Sequence, residues 1–187
     1  MMMVDAFTLT LRSVMEREFG TDRKRIAHAL AVLAYAERIL REEAAGRKVV
    51  VAAALLHDIG IQEAERRHHS NAPKYQELEG PPIARRILDD LRVLEPDDVD
   101  HVCRIVGSHH SARGIDTPEF RIVWDADWLV NFRDVYSCEF GSECKTRGKQ
   151  CADRIARLFR TPAGRRIALA ELLPEFAAAE TAFAEET

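Results

Sequence analysis

No apolar run in this chain reaches the ~18 residues that a membrane-spanning helix needs. Its N-terminus, MMMVDAFTLTLRSVM, has an early acid and no basic segment leading into an apolar core, so it does not read as a secretory leader. Cysteine is sparse: Cys103, Cys138, Cys144 and Cys151 lack the density of a disulfide scaffold, which favours a cytoplasmic, reduced protein. The last three are 6 and 7 residues apart, without the close pairs of structural zinc, and read as packing residues or a surface thiol. Positive charge is also short. With 27 Lys and Arg against 31 Asp and Glu, the net charge of -4 gives no sign of a nucleic-acid or anionic-membrane surface. Gly and Pro are modest, and neither a repeat nor a low-complexity tract is evident.

What is present suffices for a core, since 47% of the 187 residues are hydrophobic, and the length favours a single domain over residues 1–187. Hydrophobic periodicity predicts helices almost throughout, hence an all-α fold. A first helix spans Ala6 to Phe19 and ends at Gly20. A second, capped by Thr21 or Asp22, carries Ile26, Leu30, Leu33 and Leu40 at helical spacing and runs to about Ala45, where Gly46 closes it. The stretch IQEAERRHHSNAP is expected to be a long polar loop. A helix from Lys74 to Leu78 restarts after Gly80 on Pro81 and Pro82, and another runs from Pro96 to His109. FRIVWDADWLVNF fits helix or strand locally, and its helical surroundings favour helix. Helices over 143–159 and 162–183 complete the chain, with the Ala-rich 168–183 a packing helix or a homodimer contact.

The segment most informative about function is VVVAAALLHDIG, Val49 to Gly60. An all-apolar helix belongs in the middle of a domain, so His57 and Asp58 are delivered to the edge of the core on a rigid support. An aspartate there needs a cation or a strong donor, and imidazole with carboxylate suits Zn, Mn, Fe or Ni. The alternative is a helix C-cap, with His57 favoured by the macrodipole and Gly60 in a left-handed turn, but that leaves the charge of Asp58 misplaced. His28 lies on or beside the apolar stripe of the second helix, and alone would read as a core histidine. Asp127 lies in Asp125-Ala126-Asp127-Trp128-Leu129, and the bulk of Trp124 and Trp128 favours a buried or cleft-lining position for it.

One histidine on a long helix, His-Asp after an apolar helix ending in Ile-Gly, and a late Asp before an aromatic and Leu together resemble the HD superfamily of metal-dependent phosphohydrolases, over roughly Ile26 to Asn131. The resemblance implies a compact multi-helix HD-domain bundle with its motif core at about 22–135. It further implies that His28, His57, Asp58 and Asp127 coordinate a divalent metal ion, with Asp125 the fallback for Asp127. Two neutral imidazoles and two carboxylates balance a dication, and open positions would admit water and a phosphate oxygen. Mn, Fe, Co, Ni, Zn and Mg all remain open. Asp58 is the natural group to orient the attacking water.

Branches of the superfamily with two metals use further histidines. Here His109 is the better candidate of the pair His109-His110, with Glu79 at the other expected position, either as a ligand, as a general base or as a helix-terminus acid. His110 is a candidate for hydrogen bonding to substrate. Arg66 and Arg67, with His68 and His69, offer groups for a substrate phosphate, or form a solvated charge run. Lys74 and Arg85 are weaker candidates of the same kind. Ile61 stands where the cyclic-dinucleotide branch has Lys, and no acidic pair like that of the alarmone hydrolases follows. The expected activity is hydrolysis of a nucleotide or other small phosphate ester by metal-activated water. The alternatives are a di-iron oxygenase of the same superfamily and a non-catalytic metal or nucleotide sensor.

Overall fold

A computed structural model describes residues 5–140 and 147–172, with side chains outside 133–151. Nine helices account for its regular structure, and no strand occurs among the described residues. None of these helices is long and apolar enough to cross a membrane. The side chains of Cys138 and Cys151, Cys144 as a whole, and most of the Ala-rich stretch 168–183 fall outside what is described.

The molecule is built around α3, Arg47–Leu56, in which every residue from Val49 to Leu56 is buried. Burying a Val or Leu side chain contributes about 1.5–3 kcal/mol, so this one helix fixes the packing of those around it. Against it lie α1 (Ala6–Phe19), α2 (Arg23–Ile39), α6 (Pro96–Val106) and α7 (Pro118–Phe140). The N-termini of the first two are set by side chains, Asp5 accepting from the Thr8 amide at 2.9 Å and Asp22 from that of Arg25 at 3.1 Å.

α2 ends at Ile39, short of the expected Ala45. Its continuation is drawn into tertiary contacts instead: Glu43 accepts the Ala163 amide at 2.9 Å, and Glu42 pairs with Arg166. Both partners lie in the first half of α9 (Pro162–Glu171), which follows α8 (Arg147–Leu158).

The expected polar loop after His57-Asp58 is largely a helix, α4 (Ile61–His68). Glu63, Ala64, Glu65, Arg66 and Arg67 are good helix formers, and Glu63 receives Arg66 through two bonds of 2.7 and 2.5 Å across one turn. Arg25 of α2 reaches Glu65 at 2.6 Å and ties the new helix down.

α5 also departs from expectation, running unbroken from Pro73 to Leu91 through Gly80, Pro81 and Pro82. Two prolines remove two amide donors from its middle, and packing against α4 and α6 offsets the loss. At the crossing, a Cβ on Gly80 would lie 2.7 Å from Val106 Cγ1. α6 stops at Val106, so His109 and His110 lie in the following turn rather than on the helix. The FRIVWDADWLVNF stretch is helix, as its surroundings favoured.

Candidate metal centre

Three elements bring the expected ligands together. His28 comes from the middle of α2, His57 from the C-cap of α3, Asp58 from the turn behind it, and Asp127 from α7. His28 Nε2 lies 3.1 Å from His57 Nε2 and 3.1 Å from Asp127 Oδ1, and 3.6 Å from Asp58 Oδ2. His57 Nε2 lies 3.5 Å from Asp58 Oδ2 and 3.6 Å from Asp127 Oδ1. Asp58 Oδ2 and Asp127 Oδ1 therefore each lie within 3.6 Å of both imidazole nitrogens, and His28, His57 and Asp58 form a group that could hold an ion.

Their separations fit an ion. Donors held ~2.1 Å from a common ion are about 3.0 Å apart as octahedral neighbours and about 3.4 Å apart in a tetrahedron. The tautomer of His57 fits as well, because its Nδ1–H donates to the Ala54 carbonyl at 2.9 Å and leaves the lone pair on Nε2. Two imidazole nitrogens at 3.1 Å need a proton or a cation between them.

Electrostatics point the same way. Burial opposes charge on His57, but the carboxylates of Asp58 and Asp127 outweigh it and raise the imidazole to about 9. Burial likewise works against the charge of Asp58, yet His57 and His109 hold that carboxyl well below its ordinary range. Asp127 is lowered too, with burial overcome by the His28 hydrogen bond and the charge of His57. The site thus retains both carboxylates ionised and attracts positive charge.

A second cluster adjoins the first through Asp58. His109 Nε2 lies 3.3 Å from Asp58 Oδ1, and Asp58, His109 and His110 form a second group able to hold an ion. The two oxygens of Asp58 therefore address different groups, Oδ2 towards His28 and His57 and Oδ1 towards His109. Burial, followed by the proximity of His109, lowers the His110 imidazole to about 4.

Other expected site residues lie elsewhere. Glu79 belongs to neither group; its carboxylate accepts from Arg67 Nη1 at 2.8 Å and pairs with His68 Nε2 at 2.8 Å. Arg66 is exposed on α4 and held by Glu63, His69 ends that helix in a left-handed conformation, Arg85 pairs with Asp100, and Lys74 lies over the Tyr75 ring. Asp125, the fallback ligand, is turned away: it accepts from the amides of Arg160 and Thr161 and from the Thr161 hydroxyl, each at 2.7 Å.

Residues not singled out from sequence complete the centre. Asn131 donates Nδ2 to Asp127 Oδ1 at 2.7 Å, one turn along α7. The i,i+4 spacing could have exposed it. Gln76 and Glu77 touch the His109-His110 turn from α5, a contact with no local signature.

No curated protein and no solved structure matches the chain. The family model described as HD domain matches residues 25–131, more than half the chain. That span contains His28, His57 and Asp58, a group that could hold an ion, and Asp127, whose Oδ1 lies within 3.6 Å of both imidazoles, and the chain belongs to the HD domain family.

Proposed function

We propose that this protein is a metal-dependent phosphohydrolase that cleaves a nucleotide or another small phosphate ester. The observation that carries this reading is the convergence of His28, His57, Asp58 and Asp127 within a matched HD domain. These residues would hold a divalent ion, which when bound polarises a phosphoryl oxygen and acidifies its water.

The chain's own groups have distinct tasks in this reaction. Asp58, ionised and beside the ion site, accepts a hydrogen bond from the attacking water and aims it. His110, neutral at physiological pH, adds a ring nitrogen to the group of Asp58 and His109 that could hold an ion. Arg67 uses one nitrogen on Glu79 and has a side chain about half exposed, leaving donors for a phosphate; Glu79 then acts as its anchor rather than as a base. Arg66, already held by Glu63, is not assigned a substrate role.

A second reading rests on the divided carboxylate of Asp58. Bridging between the two groups suits a pair of ions, which fits either a two-metal hydrolase or a di-iron oxygenase. Elemental analysis of protein purified without added metal, followed by phosphate monoester and diester screens with Mn, Co, Ni, Mg and Fe, tests both. Metal-dependent phosphate release, lost together with bound metal in Asp58→Ala, supports the hydrolase. Stoichiometric metal retained in that variant refutes the ligand assignment, and copurified iron with oxygen-dependent substrate loss selects the oxygenase.

A further inference from the structure

The turn after α6 carries adjacent histidines, and α5 grips it from one side. Glu77 Oε1 accepts the backbone N–H of His110 at 3.0 Å and that of Ser111 at 2.7 Å. Next to it, Gln76 Nε2 donates to the Asn71 carbonyl at 2.5 Å, which fixes the orientation of the amide. Its Oε1 is thereby left facing His110 Nε2, 3.4 Å away.

An amide oxygen only accepts, so the ring nitrogen facing it carries the hydrogen. In a neutral imidazole the lone pair then resides on the other nitrogen, Nδ1. His109 has the opposite arrangement. Its Nδ1–H donates to the Val106 carbonyl at 2.7 Å, and its free Nε2 faces Asp58 at 3.3 Å. The two rings lie with centroids 4.0 Å apart and planes tilted by 41°. Nδ1 is nearer the backbone than Nε2, so neighbouring residues in one turn can address the same space from different depths.

We propose that Gln76 and Glu77 are positioning residues that fix this turn and make His110 offer Nδ1 to the centre while His109 offers Nε2. The role rests on the ion-site reading above. The polar contacts of the two side chains go to Asn71, to His110 and to the His110 and Ser111 amides, so both act through His110 and the backbone that carries it.

The test uses metal-free protein labelled with 15N-histidine near pH 7.5, read by long-range proton–nitrogen correlation. His110 is expected to be protonated on Nε2, and His109 on Nδ1. Gln76→Leu should convert His110 to a mixture of tautomers. Glu77→Ala should accelerate amide exchange at His110 and Ser111 by at least about tenfold. A wild-type His110 protonated on Nδ1, a Gln76→Leu spectrum with an unchanged tautomer, or unaltered exchange in Glu77→Ala would each overturn the proposal. These readouts need neither metal nor turnover, so their failure leaves the hydrolase reading untouched, and failure of the activity screens leaves them interpretable.

Discussion

The backbones of Gly60 and Gly80 approach so closely that a Cβ on Gly60 would lie 2.4 Å from the Gly80 nitrogen and 2.7 Å from the Gln76 carbonyl oxygen. Gly60 caps α4 two residues beyond Asp58, and Gly80 occupies the middle of α5. This crossing sets the position of the turn that presents His57 and Asp58. Its atoms are backbone on both sides and cannot move aside as a flexible side chain could.

Gly60→Ala is therefore expected to destabilise the protein by about 3 kcal/mol, near the upper end for overpacking. Gly80→Ala meets Val106 Cγ1 at 2.7 Å and should cost less, because a side chain can adjust. Urea unfolding of both variants checks the order. Equal stability of Gly60→Ala and the wild type would show that the crossing is not tight.

The sequence pointed to the candidate ion ligands more directly than to the reason for this glycine. The C-cap alternative placed Gly60 in a left-handed turn, whereas its φ of -80° is ordinary for any residue. The demand on it is tertiary, and Gly80 lies too far along the chain for local pattern to show that. The same limit explains α5, whose Gly80-Pro81-Pro82 reads as a break, and α2, whose last expected turn is diverted by contacts with α9. The apolar run of α3 and the Asp22 cap were legible because burial and capping depend on neighbouring residues. His57 and Asp58 stood out by their place at the end of the apolar helix, but their grouping with His28 and Asp127 was legible only as a family pattern. Nothing in their separate surroundings dictates that their donor atoms should meet.

Asp125 and Asp127 allow the ligand assignment to be tested within one tripeptide. Asp127→Asn should lose bound Mn2+ while the fold persists, because the neutral amide is a poorer ligand and the charge balance of the site is broken. Asp125→Asn should retain stoichiometric metal but lose about 1–3 kcal/mol, since its new NH2 group faces amides that need an acceptor. Metal analysis and urea unfolding on the two proteins give both halves; exchanged outcomes would move the ligand to Asp125.

Asn131 holds the Asp127 oxygen that faces His28, so under the proposed ligand set it would orient a ligand without supplying one. Asn131→Ala should weaken Mn2+ binding roughly 10–100-fold, the usual effect of losing such support. Competition against a metal-chelating dye measures the change. Wild-type affinity in the variant would leave the hydrogen bond without a role in the centre.

Proton and ion should compete for the same space, and the direction of that competition follows from His57. Burial disfavours its charge, but Asp58 and Asp127 prevail and raise it from an ordinary 6.5 to about 9. In metal-free protein the resulting stabilisation is fully present below about pH 6.5 and is lost as pH rises through about 9. A bound dication must displace that proton, so its binding strengthens over the same interval. The Tm of metal-free protein should accordingly fall from pH 6.5 to 9, while the increase in Tm produced by Mn2+ should grow. Thermal unfolding across this range, with Mn2+ and with chelator, measures both trends. An Mn2+-dependent increase of the same size at both ends would mean that the ion does not replace a proton on His57.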